Sequence, residues 1–408
     1  MGDLARLPVP TVASDTIHAL VNQAIHLARA DNEEGETTYD FVAPPAWDGG
    51  MEALWHRKAD LSRVESEIDE EVYRLYGIGS EDRAAIEQEL REPTVGEADE
   101  EPGTGATSAD EAEDDAVGEG LDRTALARRW VSYAVGVALG RFEPGIEGAL
   151  GRGTFSEETA AALRALAYPE GLAVVETAYP DSLATRMAQA LEVMLGEAAA
   201  GEVVTLATGG KALVDYLKGE FFKAHVQQYR KRPVYWLLQS PKKQYSFYAF
   251  HEKMTPDTLH LLRGTAYLGA AINAARSQQA DLHTALATMP QGPGRKKLER
   301  DLETSGVLLA DLEAFDRNLA AVTSQTNERG EIVGWRPEID DGVLLSLAPL
   351  RTLMPSWAAE PRKAWESLAQ GEYDWAHTAM RYWSDRVTAQ CRSNKSYAIA
   401  HSLVDSAT

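Results

Sequence analysis

One cysteine, Cys391, stands in 408 residues, so the chain has no disulfide framework and no cysteine-rich metal site. No stretch reaches the roughly 18 or more apolar residues that a bilayer-crossing helix requires. The most apolar, WVSYAVGVALG, is bounded by Arg128, Arg129 and Arg141 and reads as a buried helix, which gives no membrane partner. The amino terminus, MGDLARLPVPTVASD, lacks the charged-then-apolar layout of a secretory signal, and the expected compartment is the cytoplasm. Glycine-rich phosphate loops are missing too: GIGS, GTG, GRG and GPG do not join a strand to a helix in the required frame. Positive charge is scarce, with 40 Lys and Arg against 63 Asp and Glu and a formal net charge of −23. Spread evenly, that charge repels DNA, so a polyanionic partner has to be met by a local basic patch.

The deficit is uneven. Between Glu92 and Asp122 the sequence EPTVGEADEEPGTGATSADEAEDDAVGEGLD holds twelve acids and no base, about half the net charge. Rich in Gly, Ala, Ser and Thr and free of aromatics, it cannot bury enough apolar area to offset the entropy of ordering it. It reads as a disordered linker; the functional alternative is an acidic decoy competing for a basic groove.

Elsewhere helical spacing dominates. From Ser14, the residues Ile17, Leu20, Val21, Ala24, Leu27 and Ala28 share one face. A longer helix runs from about Met51 to Tyr76 with Leu54, Leu61, Ile68 and Leu75 seven apart, a heptad seam that packs lengthwise on another helix. Gly77 suits a left-handed helix end, and Ser80 caps a short helix to Leu90. Further helices are expected at Arg123–Arg141, Ser156–Ala167, Ser182–Leu195, Lys211–Gln228 and Thr258–Arg276. A second seam passes through Leu298, Leu302, Leu309, Leu312 and Leu319. The tail, with VLLSLAPL and the aromatic-rich YDWAHTAMRYW, has no clear period. The fold class is mainly α with small β elements, long packed helices plus a β-hairpin around 233–251. Four regions follow: 1–91, the linker 92–122, 123–280 and 281–408.

That hairpin is the exception in charge as well as in structure. After Arg232-Pro233 come VYWLLQ, a Ser240-Pro241-Lys242-Lys243 turn, and QYSFYAFH. Lys223, Arg230, Lys231, Arg232, Lys242, Lys243 and Lys253 crowd this segment, interleaved with Tyr229, Tyr235, Trp236, Tyr245, Phe247, Tyr248 and Phe250. Alternate strand residues face opposite ways, so Tyr235 and Leu237 cannot share a face with Val234, Trp236 and Leu238. Two readings stand: the aromatics are core and the lysines solvate a turn, or the two basic ends neutralise phosphates while the hairpin enters a groove.

Other chemistry is weaker. His18 and His26 lack acidic or cysteine partners at ligand spacing, and His251 and His260 are too loosely placed for zinc. Cys391 with His377 or His401 spells a thiol nucleophile and base, against the commoner passive, partly buried cysteine. Asp340-Asp341 precedes Gly342 as a turn does, and Asp374 near Trp375 and His377 suits structural contacts.

Six blocks carry a family resemblance. They are GETTYDFVAPP (Gly35–Pro45), KADLSRVESEIDEEVYRLYGI (Lys58–Ile78), WVSYAVGVALGRF (Trp130–Phe142), EFFKAHVQQYRKRPVYWLLQSPKK (Glu220–Lys243), EIDDGVLLSLAPL (Glu338–Leu350) and YDWAHTAMRYWSDRV (Tyr373–Val387). In this order they resemble the carboxy-terminal half of large adenine-specific DNA methyltransferases of phage defence. These are the PglX-type enzymes of BREX, with the DISARM methyltransferases and type IIG restriction-modification enzymes close by. The resemblance implies double-stranded DNA as partner and methyl transfer from S-adenosylmethionine to an adenine that has left the stack.

The family's Asn-Pro-Pro-Tyr type tetrapeptide and glycine-containing cofactor motif have no counterpart here; the only Pro-Pro lies in Ala43-Pro44-Pro45-Ala46. The chain therefore resembles the recognition and scaffold part, with no cofactor of its own and no catalytic residue assigned. Arg230, Lys231, Arg232, Lys242 and Lys243 are expected to contact phosphates, and Gln244 and Tyr245 to reach bases. The alternative is a helical protein-interaction module of a defence complex, its seams at Leu54–Leu75 and Leu298–Leu319 pairing with a partner. A third possibility is a complete methyltransferase formed with a separately encoded catalytic chain.

Overall fold

A computed structural model describes residues 14–91, 122–176 and 181–403. Residues 1–13, which carry the amino-terminal reading, and all of the acidic stretch but Asp122 lie outside the described residues. Mainly α with small β elements is the observed class. The chain divides into two compact units: Met1–Tyr133 with Ile146–Thr154 and Gly201–Ala207, and Ala134–Gly145 with Phe155–Ala200 and Thr208–Thr408.

In the first unit, α1 (Asp15–Glu34) packs on α2 (Gly50–Tyr76). Ser14 starts α1 as an N-cap: its hydroxyl accepts from the Ile17 amide and donates to Glu71 Oε1 at 2.7 Å. Arg57 on α2 pairs with Asp31 at 3.0 Å and with Glu34 on α1. Of the α2 seam, Leu54 is buried while Leu61, Ile68 and Leu75 are half-buried. Residues Val21 and Ala28, read onto the inner face of α1, are exposed. Gly77 ends α2 with φ +65°, and α3 (Ser80–Arg91) follows. The start of α4 (Arg123–Leu139) supplies the core of this unit. Trp130 Nε1 donates to Pro45 O at 3.0 Å, and Tyr133 OH donates to Gly151 O at 2.7 Å while meeting the Phe41 ring edge-on.

In the second unit, α5 (Glu157–Ala165) and β1 (Leu172–Val174) precede α6 (Leu183–Leu195), with Ser156 and Ser182 capping the two helices. Next come α7 (Glu197–Thr208), whose residues Gly201–Ala207 belong to the first unit, and then α8 (Leu213–Tyr216) and α9 (Phe222–Gln228). A single π turn over Leu217–Phe221 joins the last two, where the buried Tyr248 hydroxyl donates to Leu217 O at 2.6 Å. Then follow β2 (Tyr235–Gln239) and β3 (Ser246–Phe250), which pair antiparallel in the register Tyr235↔Phe250 to Gln239↔Ser246. The sheet order is β1-β3-β2, so β3 is central.

Every residue of the three strands is buried. One face packs on helical aromatics, with Tyr235 stacked on His225 and Tyr248 edge-on to Phe221 and Phe222. The other sets Trp236 against Trp335 and Phe247 against Phe315. Close approach is built in at Gly136 on α4, where a Cβ would lie 2.2 Å from the Phe142 ring and 2.8 Å from the Tyr235 hydroxyl.

The remainder is helical: α10 (Thr258–Arg263), α11 (Leu268–Thr288), α12 (Pro293–Thr323), α13 (Val343–Leu347), α14 (Ala359–Gln370), α15 (His377–Tyr382), α16 (Ser384–Ser393) and α17 (Lys395–Ala400). The second heptad seam lies on α12, which runs unbroken through Gly306 and packs on α11. A second core gathers Leu345, Ala348, Ala364, Leu368, Ala379, Val387 and Cys391. Among the described residues, no helix is long and apolar enough to cross a membrane.

Candidate nucleic-acid interface

Five of the seven basic residues of the hairpin segment, Arg230, Lys231, Arg232, Lys242 and Lys243, fall into two turns at opposite ends of β2, and the aromatics between them point inward. Tyr235, Trp236, Phe247 and Tyr248 are fully buried. They form the core of the unit, and the hairpin is not a free wedge. Five residues of strand separate the turns, a span of about 17 Å.

The first turn ends α9. Lys231 N donates to Val226 O at 2.8 Å and Arg230 N to Gln227 O at 2.9 Å, the paired bonds of a Schellman helix end. Such an end puts its first residue past the cap in the left-handed region, where glycine is at ease. The same pair of bonds closes helices at Gly77, Gly140 and Gly371, all with positive φ. Here the position holds Arg230 at φ +48°, followed by Lys231 at φ +61°. Each costs about 1 kcal/mol in backbone strain. Cations beside a helix carboxyl end recover part of that through the helix dipole.

His225 fastens this turn to the sheet. Its Nε2 accepts from the Val234 and Tyr235 amides, both at 3.0 Å, so the ring is neutral with its proton on Nδ1. Burial, with Arg141 and His251 nearby, holds its pKa well below the usual imidazole value. Arg141 Nη1 donates to the Tyr229 hydroxyl at 2.5 Å. Outside, Arg230, Lys231 and Arg232 are exposed. Lys231 reaches Glu360 at 3.6 Å.

The second turn is closed by Lys243 N to Ser240 O at 2.8 Å and Ser240 N to Tyr245 O at 2.9 Å, with Pro241 second in the turn and Lys243 at φ +58°. Asp311 of α12, 2% exposed, holds it from below. Its carboxylate accepts from the Ser240 hydroxyl, from Lys242 N at 2.7 Å and from Gln244 N at 3.4 Å. Glu176 accepts from Ser246 N at 3.1 Å and faces Lys218 at 3.5 Å. Burial pushes its carboxyl above the usual range, against the Ser246 hydrogen bonds and the Lys218 charge. Two carboxylates thus lie under two lysines, and the first turn is the more positive.

Lys242, Lys243 and Gln244 are exposed. Tyr245 is 3% exposed and meets Phe247 edge-on at 5.0 Å, so its ring stays in the core. Among the described residues, Arg232, Lys242 and Lys243 form no ion pair. Lys253 turns inward to Tyr168 O at 3.4 Å, and Lys218 sits against Glu176; neither adds to the outer surface.

Sequence reasoning missed the groups that hold the turns: Asp311, His225 and Glu176. The signal for the first turn was there in Arg230-Lys231-Arg232-Pro233, a helix-stop frame with arginine where glycine belongs.

The remaining candidates are structural. Asp341 caps α15 through the His377 and Thr378 amides at 2.8 and 2.7 Å. Buried Asp374 pairs with Arg386 at 2.7 Å, and its carbonyl meets His401 Nε2. Burial raises the Cys391 thiol above its ordinary value within the second core. No family model matches the chain, and no curated protein matches it.

Proposed function

We propose that this chain grips duplex DNA through Arg230, Lys231 and Arg232 at one end of β2 and Lys242, Lys243 and Gln244 at the other. It does so as the recognition and scaffold part of an adenine-specific DNA methyltransferase of a BREX-like or restriction-modification phage-defence system. Methyl transfer from S-adenosylmethionine belongs to a catalytic region carrying the Asn-Pro-Pro-Tyr motif, on a separate chain or on a further part of the same protein. The observation that supports the reading most is conformational: three of the four non-glycine positive-φ residues among those described are Arg230, Lys231 and Lys243. Side chains kept in a strained backbone, where glycine would fit freely, support a role for the side chain itself. The ordered family blocks supply the identity of the partner.

The test is salt-dependent retention of a labelled duplex. Reversal of Lys231, Arg232, Lys242 and Lys243 to Glu abolishes binding on this reading, and each phosphate contact contributes about 0.9 to the log-log salt slope. Unchanged retention rejects it. Adding a catalytic chain that carries the tetrapeptide then restores adenine methylation to the unaltered protein.

A helical interaction module is the second reading, favoured by Ile25 of α1 and Trp55 of α2, which are 55% and 54% exposed. The heptad seams themselves are occupied by α1 and α11 within the chain. On that reading the charge reversals leave DNA retention and partner capture untouched.

A further inference from the structure

At the end of α12 the second unit carries a cleft of about 520 Å³, with Gln325, Asn327, Arg351, Trp365, Tyr382 and Trp383 in its lining. Three of these are aromatic and mutually packed. Trp365 lies 5.1 Å from Tyr382 and 5.2 Å from Trp383, centroid to centroid. The Arg351 guanidinium stacks over Trp365 at 4.1 Å.

Arg351 is the unusual member. It is half-buried, its one hydrogen bond runs to Ala348 O at 3.3 Å, and no described carboxylate pairs with it. Arg362 lies near enough to add like charge, and burial pushes the guanidinium below its ordinary pKa. A half-buried cation without a counterion attracts an anion more strongly than one in open water does. One acid, Glu328, shares the lining; one of its oxygens accepts from the Asp385 amide, and its charge acts on the neighbouring Arg329. Gln325 uses Oε1 to accept from the Tyr382 hydroxyl at 2.8 Å, and its Nε2 donates to nothing among the described residues.

We infer that this cleft binds a nucleotide unit, its base stacked on Trp383, whose ring is tilted 50° from that of Trp365, and its phosphate on Arg351. Aromatic faces accept any base, and an arginine fork matches phosphate oxygens. A cleft of this volume is in the range of small-molecule sites. The unit comes either free in solution or as an unstacked residue of a DNA strand. The inference stands on the cleft alone and does not require the basic turns.

The full chain is titrated with deoxyadenosine monophosphate, with inorganic phosphate and with a single-stranded oligonucleotide, followed by tryptophan fluorescence and equilibrium dialysis. Saturable quenching by the mononucleotide or the oligonucleotide is expected; binding of both assigns either source, and binding of the oligonucleotide alone assigns the strand. Arg351→Gln weakens binding at least tenfold, Trp383→Leu does the same, and Trp383→Phe retains most of it. Circular dichroism melting identifies a variant that fails to fold, and the pair Trp383→Leu and Trp383→Phe then decides. No quenching at millimolar mononucleotide or oligonucleotide overturns the inference. So does inorganic phosphate binding as well as the nucleotide, or an undiminished Arg351→Gln. The four charge reversals in the turns leave mononucleotide binding intact, so failure of the DNA-grip reading and failure of this one are separable.

Discussion

The carboxylate of Asp311 accepts a hydrogen bond from the Ser240 hydroxyl across 71 positions of sequence, and the same carboxylate takes the Lys242 amide at 2.7 Å. A helix deep in the second unit thereby fixes the shape of a surface turn that presents two lysines.

Asp311→Ala strands that hydroxyl and two amides. Leaving buried donors unsatisfied costs about 1–3 kcal/mol for each group that water cannot reach, so a loss of about 2–4 kcal/mol is expected by urea denaturation. Asp311→Asn, which keeps an acceptor, loses roughly half as much. A loss within error for Asp311→Ala would show that strand pairing alone holds the turn.

Glycine at the strained corners separates stability from binding. Arg230→Gly and Lys231→Gly relieve about 1 kcal/mol of left-handed strain each, set against greater chain entropy when unfolded and a lost dipole contact. Thermal melting is expected to stay level or rise by a degree or two while duplex retention falls. A marked drop in melting temperature would assign these side chains a structural role instead.

Acid should unlatch the first turn. Burial, above all, lowers the pKa of His225 and His251 from the ordinary 6.5, His251 to about 4. For a depressed histidine the unfolded chain binds protons first, so stability is full above about pH 6.5 and is lost as pH falls toward the folded value. Each histidine contributes a slope of up to about 1.4 kcal/mol per pH unit in that window. Denaturation from pH 7 to 4.5 measures it, and His251→Gln is expected to flatten the curve.

Gly136→Ala forces a methyl into the Phe142 ring, at 2.2 Å before relaxation. Overpacking of this kind costs about 1–3 kcal/mol. That outweighs the gain of about 1 kcal/mol which alanine brings to a helix interior. Equal stability of the two proteins would mean that Phe142 moves aside freely.

Local signals were readable from the residues. Ser14, Ser156 and Ser182 cap helices in the structure, Gly77 ends one, and both hairpin strands are where their β-rich runs place them. Three kinds of feature were not readable. β1 has only 3 residues, too few for any period to mark. The helix expected over Thr258–Arg276 is two, because the chain turns at Gly264, where a Cβ would meet Leu261 O at 2.9 Å. The tail hides its helices because much of its core is alanine, at Ala348, Ala364, Ala376 and Ala379, which carries little hydrophobic signal. Of the site, the cations were visible and their supports were not. Asp311, His225 and Glu176 act on residues far along the chain or on backbone amides, and no spacing encodes that. Nor did spacing forecast that Tyr245 turns into the core.

On the DNA-grip reading, the length of β2 would act as a gauge. Its 5 residues advance about 3.4 Å each, close to the rise per nucleotide along one strand of a duplex. Two rigid corners held that far apart keep a set distance whatever the neighbouring side chains do. A residue inserted into β2 would lengthen the strand by one step and, because strand faces alternate, exchange its side chains between two faces that are both packed, so the spacing is not free to drift.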